Sequence, residues 1–317
     1  MTVQQLEYLV AVDTYNSFVS AAEHCFVTQP TLSMQIQKLE EELNTVIFDR
    51  SKQPVITTEI GQKIVEQARI ALAEFKRIND LVNEEKQNTK GELKIAIIPT
   101  LAPYLVPMFL PGFNKQYKDI QLRLYEITTT QIIEQLKKGV IDAGILATPL
   151  QELGLIETPL FYEEFIAYVS QKSSFYQKKT VHIDDIVREE LLLLDEGHCL
   201  RTQVLHLCGK KNNIGNITDF RTGSLETIKR LVEIDKGITL MPELATRYMD
   251  KVELSRVRYF KTPQPVREIS LVTHRNYTKK ALLNALKIEI IKHIPAKMLK
   301  DKKKKIIKKT KVCTSSV

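Results

Sequence analysis

Apolar positions recur at helical spacing through the first third of the chain. After Ser17, which can cap a helix, apolar residues continue to Cys25, and residues 26–27 interrupt the pattern. Thr28 then gives a second start signal, with Pro30 in the first turn of the next helix. That helix carries a single apolar stripe formed by Leu32, Ile36, Leu39 and Leu43. The pattern predicts two short helices joined by a tight turn.

A long amphipathic helix is predicted over residues 59–90. Its apolar positions form one stripe with charged residues between them: Ile60, Ile64, Ala68, Ala71, Leu72, Phe75, Ile78, Leu81 and Val82. A helix of roughly 30 residues cannot bury a single seam on itself, so it needs a partner helix. We therefore expect a homodimer formed through residues 59–90.

Strands and helices alternate from Gly91 to about residue 296. Strands are expected near residues 93–98, 120–127, 143–147, 165–169, 191–194, 238–241 and 269–272. Helices are expected near residues 101–117, 131–138, 200–208, 224–234 and 280–294. This alternation predicts an α/β effector domain with mainly parallel sheets covered by helices. Its length suits two lobes, residues 91–163 with 268–296 and residues 164–267, with ligand chemistry in the cleft between them.

Composition narrows the classes of function. The chain has 317 residues, is 43% hydrophobic and carries a formal net charge of +8. Residues 297–311 contain nine lysines and one aspartate, so the rest of the chain sums to zero. The basic character therefore belongs to a Lys-rich tail, residues 297–317, which we expect to be disordered, although lysines can hold nucleic acid loosely. A DNA-binding function has to rest on a motif instead.

The sequence shows neither a membrane span nor a secretory signal, so we expect a cytoplasmic protein. It has four cysteines, and no two of them have the CxxC spacing of a zinc site or a thioredoxin-like motif. Motifs typical of nucleotide-binding enzymes, zinc enzymes and serine hydrolases are also missing from the sequence. We expect no metal and no cofactor.

The first 58 residues have the pattern of a winged helix-turn-helix. The second helix of such a motif presents polar side chains to base edges and phosphates in the major groove. The positions expected to contact DNA are Thr28, Gln29, Pro30, Thr31, Ser33, Gln35 and Lys38. A hairpin near residues 48–57 is expected to place Arg50, Ser51 and Lys52 on the DNA backbone as a wing. On pattern alone, a small helical bundle that binds no nucleic acid stays open.

This segment resembles a known family. The run AAEHCFVTQPTLSMQIQKLEEELNTVIFDRS, followed by TTEIG and a long helix, is similar to the N-terminal domain of the LysR-type transcriptional regulators. The resemblance covers residues 1–296. It implies a winged helix-turn-helix, an antiparallel dimer of linker helices, and an effector domain like a periplasmic binding protein. Met34 departs from the polar or basic residue common at its position, Asn44 from the usual glycine, and Lys52 and Gln53 from an arginine-richer wing.

Cys199 follows a predicted strand and a turn at Gly197 and His198, which places it at the N-terminus of a helix. A helix N-terminus lowers the pKa of a thiol, and Arg201 and a protonated His198 act in the same direction. Such a thiolate can attack peroxide and become a sulfenic acid, and Cys208 could then form a disulfide with it. On one continuous helix these cysteines would lie about 13 Å apart, whereas a disulfide needs Cα atoms within about 7 Å. The helix would have to break for the bond to form, and two inert cysteines remain the alternative.

The surrounding sequence resembles the peroxide-sensing OxyR subgroup of the LysR-type family. The similar stretches are LLLLDEGHCLRTQ, FRTGSLETIKRLVEIDKGITLMPELA, IPT at residues 98–100 and ITTTQ at residues 127–131. The resemblance implies that Cys199 reacts with peroxide and that Cys208 is its disulfide partner. It further implies a peroxide pocket formed by Thr100, Thr129, His198 and Arg201. Thr129 could also cap a helix, and Cys25 and Cys313 have no counterpart role.

The leading hypothesis is a transcription regulator, not an enzyme, that activates oxidative-stress genes in response to hydrogen peroxide. Its expected partners are double-stranded promoter DNA, further copies of the chain in a homotetramer, RNA polymerase during activation, and a dithiol reductant that resets the disulfide. A LysR-type regulator controlled by a small metabolite is the main alternative. A thiol peroxidase is a weaker one, because an enzyme needs neither the helix-turn-helix nor the long helix.

Overall fold

A computed structural model describes residues 1–85, 90–186, 191–195, 199–207, 223–234, 237–300 and 305–306. The chain divides into two compact units, Met1–Asn88 and Thr89–Val317. Among the described helices, none combines the length and the apolar character that crossing a membrane requires.

The first unit contains the predicted helices and hairpin. Its elements are α1 (Val3–Tyr15), α2 (Phe18–His24), α3 (Gln29–Glu42), β1 (Phe48–Asp49), β2 (Ile56–Thr57) and α4 (Glu59–Glu85). The predicted stripe of α3 is buried at Leu32, Ile36 and Leu39, in one apolar cluster with Ala21 and Ala22 of α2. The prediction is wrong for its fourth member, Leu43, which follows the last residue of α3 and is 37% exposed. The two alanines leave room for a close approach of α2 and α3. Strands β1 and β2 pair antiparallel and form the predicted wing.

Helices α2 and α3 end in the same backbone motif. Phe26 follows α2 with φ of 56°, and Asn44 follows α3 with φ of 47°, so both are left-handed. After α2, the amide of Phe26 donates to the carbonyl of Glu23 at 3.2 Å, and the amide of Val27 donates to that of Ala22 at 3.0 Å. These two bonds satisfy carbonyls at the end of the helix that would otherwise lack partners. Asparagine tolerates this conformation, as expected for Asn44.

The second unit builds a curled mixed sheet flanked by helices. Its elements are β3 (Gly91–Ile97), α5 (Ala102–Gln116), β4 (Ile120–Glu126), α6 (Thr129–Lys137), β5 (Ala143–Thr148), β6 (Leu155–Val169), β7 (Thr180–Val181), α7 (Ile183–Ile186), α8 (Cys199–Leu207), α9 (Leu225–Ile234), β8 (Ile238–Pro242), a 3₁₀ helix (Glu243–Tyr248), α10 (Lys251–Leu254), β9 (Val257–Phe260), β10 (Pro265–His274), α11 (Lys280–His293) and β11 (Lys305–Ile306). The strand order is β4-β3-β5-β10-β6-β9-β7, with β8 also paired to β6.

The expectation of mainly parallel sheets is wrong for the centre of this unit. Strand β3 pairs parallel with β4 and β5, as alternating strands and helices predict. Strand β10, however, pairs antiparallel with β5 and β6, and β6 pairs antiparallel with β8 and β9. The antiparallel centre is built on β6, a long strand that continues from one half of the sheet into the other. Residues 155–164 of β6 face β10, whereas its residues 165–169 face β8.

The ordered chain also continues past the predicted start of the disordered tail at residue 297. Met298 is buried, and its carbonyl accepts a hydrogen bond of 2.8 Å from the amide of Tyr162. Lys297 forms an ion pair with the buried carboxylate of Glu243. Residues 297–300 therefore belong to the folded unit, because the apolar side chain of Met298 and the carboxylate of Glu243 hold them there.

Candidate functional sites

The recognition helix α3 begins as the sequence predicts. The Thr28 side chain accepts a hydrogen bond of 3.4 Å from the amide of Thr31, and Pro30 lies in the first turn. Most of the predicted contact positions are exposed: Thr28, Gln29, Pro30 and Thr31 at the beginning of the helix, and Lys38 further along it. Ser33 and Gln35 are less exposed, because they are half-buried and have partners inside the unit. Gln35 accepts a hydrogen bond of 3.3 Å from the side chain of Gln5.

The three wing residues are all exposed, but Arg50 and Ser51 have hydrogen-bond partners within the first unit. The Arg50 guanidinium donates to Ser33 Oγ at 3.1 Å and to Glu40 Oε2 at 2.8 Å, and it lies 4.9 Å from the centroid of the Phe18 ring. It thus ties the hairpin to α3, a role that the sequence did not reveal. The Ser51 hydroxyl donates to Asp49 Oδ1 at 2.6 Å, whereas Lys52 is exposed. Of the three, Lys52 is the residue best placed to meet a phosphate.

Helix α4 packs on its own unit at its beginning and leaves it further on. Arg69 donates to Asp13 Oδ2 at 2.8 Å and to the Thr14 hydroxyl at 3.0 Å, which fixes this part of α4 against α1. Phe75 is 51% exposed and Ile78 is 60% exposed, although both belong to the predicted apolar stripe. The stripe is therefore buried in part and presents large apolar side chains to solvent beyond Arg69.

Thr100 and Thr129 occupy equivalent places after two neighbouring parallel strands. Ile97 of β3 lies opposite Glu126 of β4 in the register, and each threonine follows three residues later. Thr100 is 1% exposed and Thr129 is 2% exposed. Because the carboxyl ends of parallel strands meet at one edge of a sheet, both hydroxyls lie at the edge where α/β proteins bind ligands.

A buried ion pair holds Thr100. Arg267 and Glu163 are both fully buried, and Arg267 Nη2 lies 2.7 Å from Glu163 Oε2. The same guanidinium donates to Thr100 Oγ1 at 3.1 Å and to the Thr100 carbonyl at 3.3 Å. The other carboxylate oxygen of Glu163 accepts a bond of 2.8 Å from the Leu244 amide. Since Arg267 donates to Thr100 Oγ1, the hydroxyl proton of Thr100 is directed elsewhere.

Thr129 has a different environment. The cap of α6 is Thr128, whose side chain accepts from the amide of Gln131, so the interpretation of Thr129 as a possible cap is wrong. Its buried hydroxyl has no hydrogen-bond partner in the part of the chain that the structure describes. A buried hydroxyl without a partner carries a penalty of about 1–3 kcal/mol. Such a group suits a site that a polar ligand completes.

Cys199 is the first residue of α8, as the sequence predicts. Arg201 donates from Nη1 to the Leu194 carbonyl at 2.8 Å, which ties the first turn of α8 to the preceding segment. Gln203 is 4% exposed, and its Oε1 has no partner among the described residues. The Cys199 side chain, His198 and Cys208 lie outside the described residues, and so does the predicted distance between the two cysteines.

Cys25 provides a contrasting thiol in the first unit. It is half-buried beside the apolar cluster of the helix-turn-helix. Burial, and to a smaller degree the charge of Glu7, raise the pKa of the Cys25 thiol above its ordinary value. A raised pKa lowers the fraction of the reactive thiolate. Cys25 is therefore a poor nucleophile at neutral pH.

A cavity of about 370 Å³ opens beside the two threonines. It is lined by Pro99, Pro103, Tyr104, Glu126, Ile127, Thr128, Gln131, Gly223, Ser224, Leu225 and Glu226. The Tyr104 hydroxyl donates to Glu226 Oε1 at 2.8 Å across it, joining α5 to α9. Desolvation and the Glu226 charge raise the pKa of Tyr104, so the phenol remains a donor at any physiological pH.

Sequence reasoning did not predict Arg267, Glu163 or Tyr104 as site residues. A charged residue inside an apolar strand pattern was the available signal, since Glu163 lies in FYEEFIAYV and Arg267 in PVREISLV. A fully buried charge requires a partner. The pairing itself joins residues 104 positions apart, which no local pattern can predict.

Comparisons with known proteins identify the family. Residues 3–62 match the family model described as bacterial regulatory helix-turn-helix protein, lysR family, and residues 86–293 match the LysR substrate binding domain. The hydrogen peroxide-inducible genes activator of Haemophilus influenzae is 38% identical over 277 residues, which cover 86% of this chain and 90% of the relative.

Two solved structures are similar over nearly the whole chain. A full-length OxyR variant from Pseudomonas aeruginosa has a TM-score of 0.79 at 32% identity, covering 92% of this chain and 98% of its own. A cysteine variant of Corynebacterium glutamicum OxyR with hydrogen peroxide bound has a TM-score of 0.61 at 28% identity, covering 92% of each chain. The chain belongs to the LysR family of bacterial helix-turn-helix regulators, among the relatives of OxyR.

Proposed function

We propose that this LysR-family protein is a cytoplasmic transcription activator that senses hydrogen peroxide through Cys199 and Cys208. The observation that carries the proposal is the buried Thr129 hydroxyl, which lacks a partner among the described residues and lies beside Thr100 at the edge of the sheet. Two small hydroxyl groups suit a ligand as small and polar as peroxide. The hydrogen peroxide-inducible genes activator of Haemophilus influenzae and the peroxide-bound OxyR variant of Corynebacterium glutamicum, both similar to this chain, support the same assignment.

The chemistry requires one activated thiol and one partner. The Cys199 thiolate attacks one oxygen of hydrogen peroxide, the O–O bond breaks, hydroxide leaves, and a sulfenic acid forms. The Cys208 thiol then attacks the sulfenic sulfur, the S–O bond breaks, and water leaves as the disulfide forms. A cellular dithiol reverses the reaction by exchange. The position of Cys199 at the first residue of α8 favours its thiolate.

The pocket residues have separate roles in this proposal. Thr100, held by Arg267, and Thr129 position the peroxide through their hydroxyls. His198 lines the same pocket. Arg201 fixes the first turn of α8 through its bond to the Leu194 carbonyl.

The test is a peroxide titration of the full-length protein with mass-spectrometric mapping of its thiols. Wild type should form one Cys199–Cys208 disulfide per chain, and Cys208→Ser should stop at the sulfenic acid. Cys25→Ser is the matched control and should behave as wild type, because the pKa of the Cys25 thiol is raised. If Cys199→Ser still responds to peroxide at promoter DNA, the assignment of the switch is wrong.

Regulation further requires DNA, further copies of the chain and the transcription machinery. We propose that Thr28, Gln29, Pro30, Thr31 and Lys38 contact promoter DNA, supported by their exposure on α3, with Ser33, Gln35, Arg50, Ser51 and Lys52 beside them. The exposed side chains of Phe75 and Ile78 support a homodimer formed through residues 59–90. Two such dimers form a tetramer, which recruits RNA polymerase. Ile78→Glu should shift the protein to smaller species in analytical ultracentrifugation, whereas Glu74→Gln should not.

A regulator controlled by a metabolite is the second candidate, favoured by the cavity of about 370 Å³. A metabolite that binds there would raise the melting temperature by mass action, so a thermal-shift screen tests this candidate.

A thiol peroxidase is distinguished from a sensor by its turnover of peroxide. An enzyme would consume many equivalents of peroxide with a dithiol donor, whereas a sensor of this kind reacts once and waits for reduction.

A further inference from the structure

Phe26 occupies a position that neither its backbone nor its packing favours. It follows α2 in the left-handed conformation, with φ of 56°, where glycine or asparagine is usual. Asn44 at the equivalent position after α3 follows that preference. The Phe26 ring is 95% exposed, so burial does not offset the strained backbone. A costly, exposed aromatic side chain at this point is best explained by a partner.

Met34 is a second exposed apolar side chain of the helix-turn-helix. It is 59% exposed, whereas Leu32 and Ile36, two residues to either side, are fully buried. At 100° per residue, Met34 lies on the face of α3 opposite that stripe, one turn from Pro30 and one turn from Lys38. This face is the one that a recognition helix presents to the major groove.

Two of the polar residues predicted to contact DNA are engaged within the protein. Gln35 bonds to Gln5, and Ser33 accepts from Arg50. Arg50 in turn pairs with Glu40 at 2.8 Å. Fewer polar groups are therefore available to pair with base edges than the sequence suggests.

We propose that Phe26 and Met34 read the C5-methyl groups of thymines in the major groove. Thymine is the base that presents an apolar group there, and apolar side chains recognise it by contact. Phe26 precedes Gln29 by three residues, so it lies within about 11 Å of the start of the recognition helix. The proposal rests on DNA binding by the helix-turn-helix and adds a preference for thymine at the positions facing these two side chains.

The test compares duplexes that differ only in thymine methyl groups. The full-length wild type first selects its binding sequences from a random duplex pool. The selected duplex is then resynthesised with deoxyuridine in place of each thymine in turn, which removes the methyl group and keeps the base pair. Each contacted methyl should contribute about fourfold in affinity, the value of one buried methyl or methylene group. Wild type should lose about that factor at two or more thymines.

Two variants assign those thymines to side chains. Met34→Gln keeps the length of the side chain, and Phe26→Asn keeps the left-handed backbone that asparagine tolerates. Each variant should bind the thymine duplex more weakly than wild type does. Each should also lose its sensitivity to uracil at the thymine that the replaced side chain contacts. Phe26→Asn should also slow hydrogen exchange in α2, because it relieves strain, so weaker binding could not be attributed to unfolding. Val46→Asn, at a 64% exposed position beyond the end of α3, is the matched control.

Three results would overturn the proposal. The first is equal binding of the uracil and thymine duplexes by wild type. The second is full retention, in both variants, of the uracil sensitivity of wild type. The third is an equal loss of affinity for both duplexes in each variant, which would indicate a contact to sugar or phosphate. Failure of wild type to enrich any duplex would instead count against DNA binding by this helix-turn-helix, which is a separate outcome.

Discussion

In the variant Arg267→Met, the central sheet should unfold far more easily than in wild type, although methionine fills much of the volume of arginine. Arg267 and Glu163 are both fully buried, and the guanidinium contacts Glu163 Oε2 through Nε at 2.9 Å and through Nη2 at 2.7 Å. In Arg267→Met the carboxylate of Glu163 keeps the Leu244 amide as its donor in the described structure. Breaking a buried pair by removing one partner costs about 3–5 kcal/mol.

The second partner turns this estimate into a thermodynamic cycle. Glu163→Gln removes the negative charge and keeps a carbonyl oxygen for the Leu244 amide. The double variant Arg267→Met with Glu163→Gln contains no unpaired charge, so it should be only about 1–2 kcal/mol less stable than wild type. The two single losses should therefore sum to several kcal/mol more than the loss in the double variant.

Hydrogen exchange measured by mass spectrometry on the full chain provides the assay. Peptides that cover β6 and β10 report the free energy of opening of the sheet that holds both residues. A loss below about 1 kcal/mol in Arg267→Met, or losses that add in the double variant, would refute the argument that Glu163 depends on Arg267.

Three further changes test other parts of the structure. Thr129→Val should leave the stability of the effector domain unchanged or raise it by about 1 kcal/mol, because the hydroxyl lacks a partner, yet it should slow disulfide formation in a stopped-flow peroxide assay. Gly61→Ala should destabilise the first unit by about 1–3 kcal/mol in hydrogen exchange, because its Cβ would lie 2.3 Å from the Ile47 carbonyl oxygen. Burial raises the pKa of Glu243, so wild type should lose stability as the pH rises from the ordinary value of about 4.3 through the raised folded value. Glu243→Gln should lack that loss, as melting temperatures measured at each pH would reveal.

The sequence predicts best those features that depend on neighbours along the chain. The caps at Ser17 and Thr28 and three of the four predicted stripe positions of α3 lie where the pattern places them. These features depend on residues at most one or two helical turns apart. The prediction from the sequence did not include the antiparallel pairing of β6 and β10, because the segment FYEEFIAYV does not indicate which strand lies beside it. The partner of a strand is decided by the tertiary fold.

The same limit applies to individual side chains. Arg50 is a cation in a hairpin next to a recognition helix, so the sequence favours a phosphate contact. In the structure its guanidinium is engaged by Ser33 and Glu40. Thr128 and Thr129 are adjacent and have the same side chain. Thr128 nevertheless caps α6, whereas the hydroxyl of Thr129 is buried without a partner among the described residues. Helix position separates their roles by a single residue.

The buried pair also decides how a change at Thr100 can reach the rest of the effector domain. Replacing a buried pair by apolar residues of similar size is often neutral or stabilising, so the pair is a weak source of stability. It does fix relative positions, since one guanidinium joins Thr100, which follows β3, to Glu163 on β6 and from there to the 3₁₀ helix at Leu244. Because these groups are fully buried and bond to one another, a movement of Thr100 away from Arg267 leaves donors unpaired. Thr100 and β6, the long strand shared by both halves of the sheet, must therefore move together, because each group left unpaired would cost about 1–3 kcal/mol.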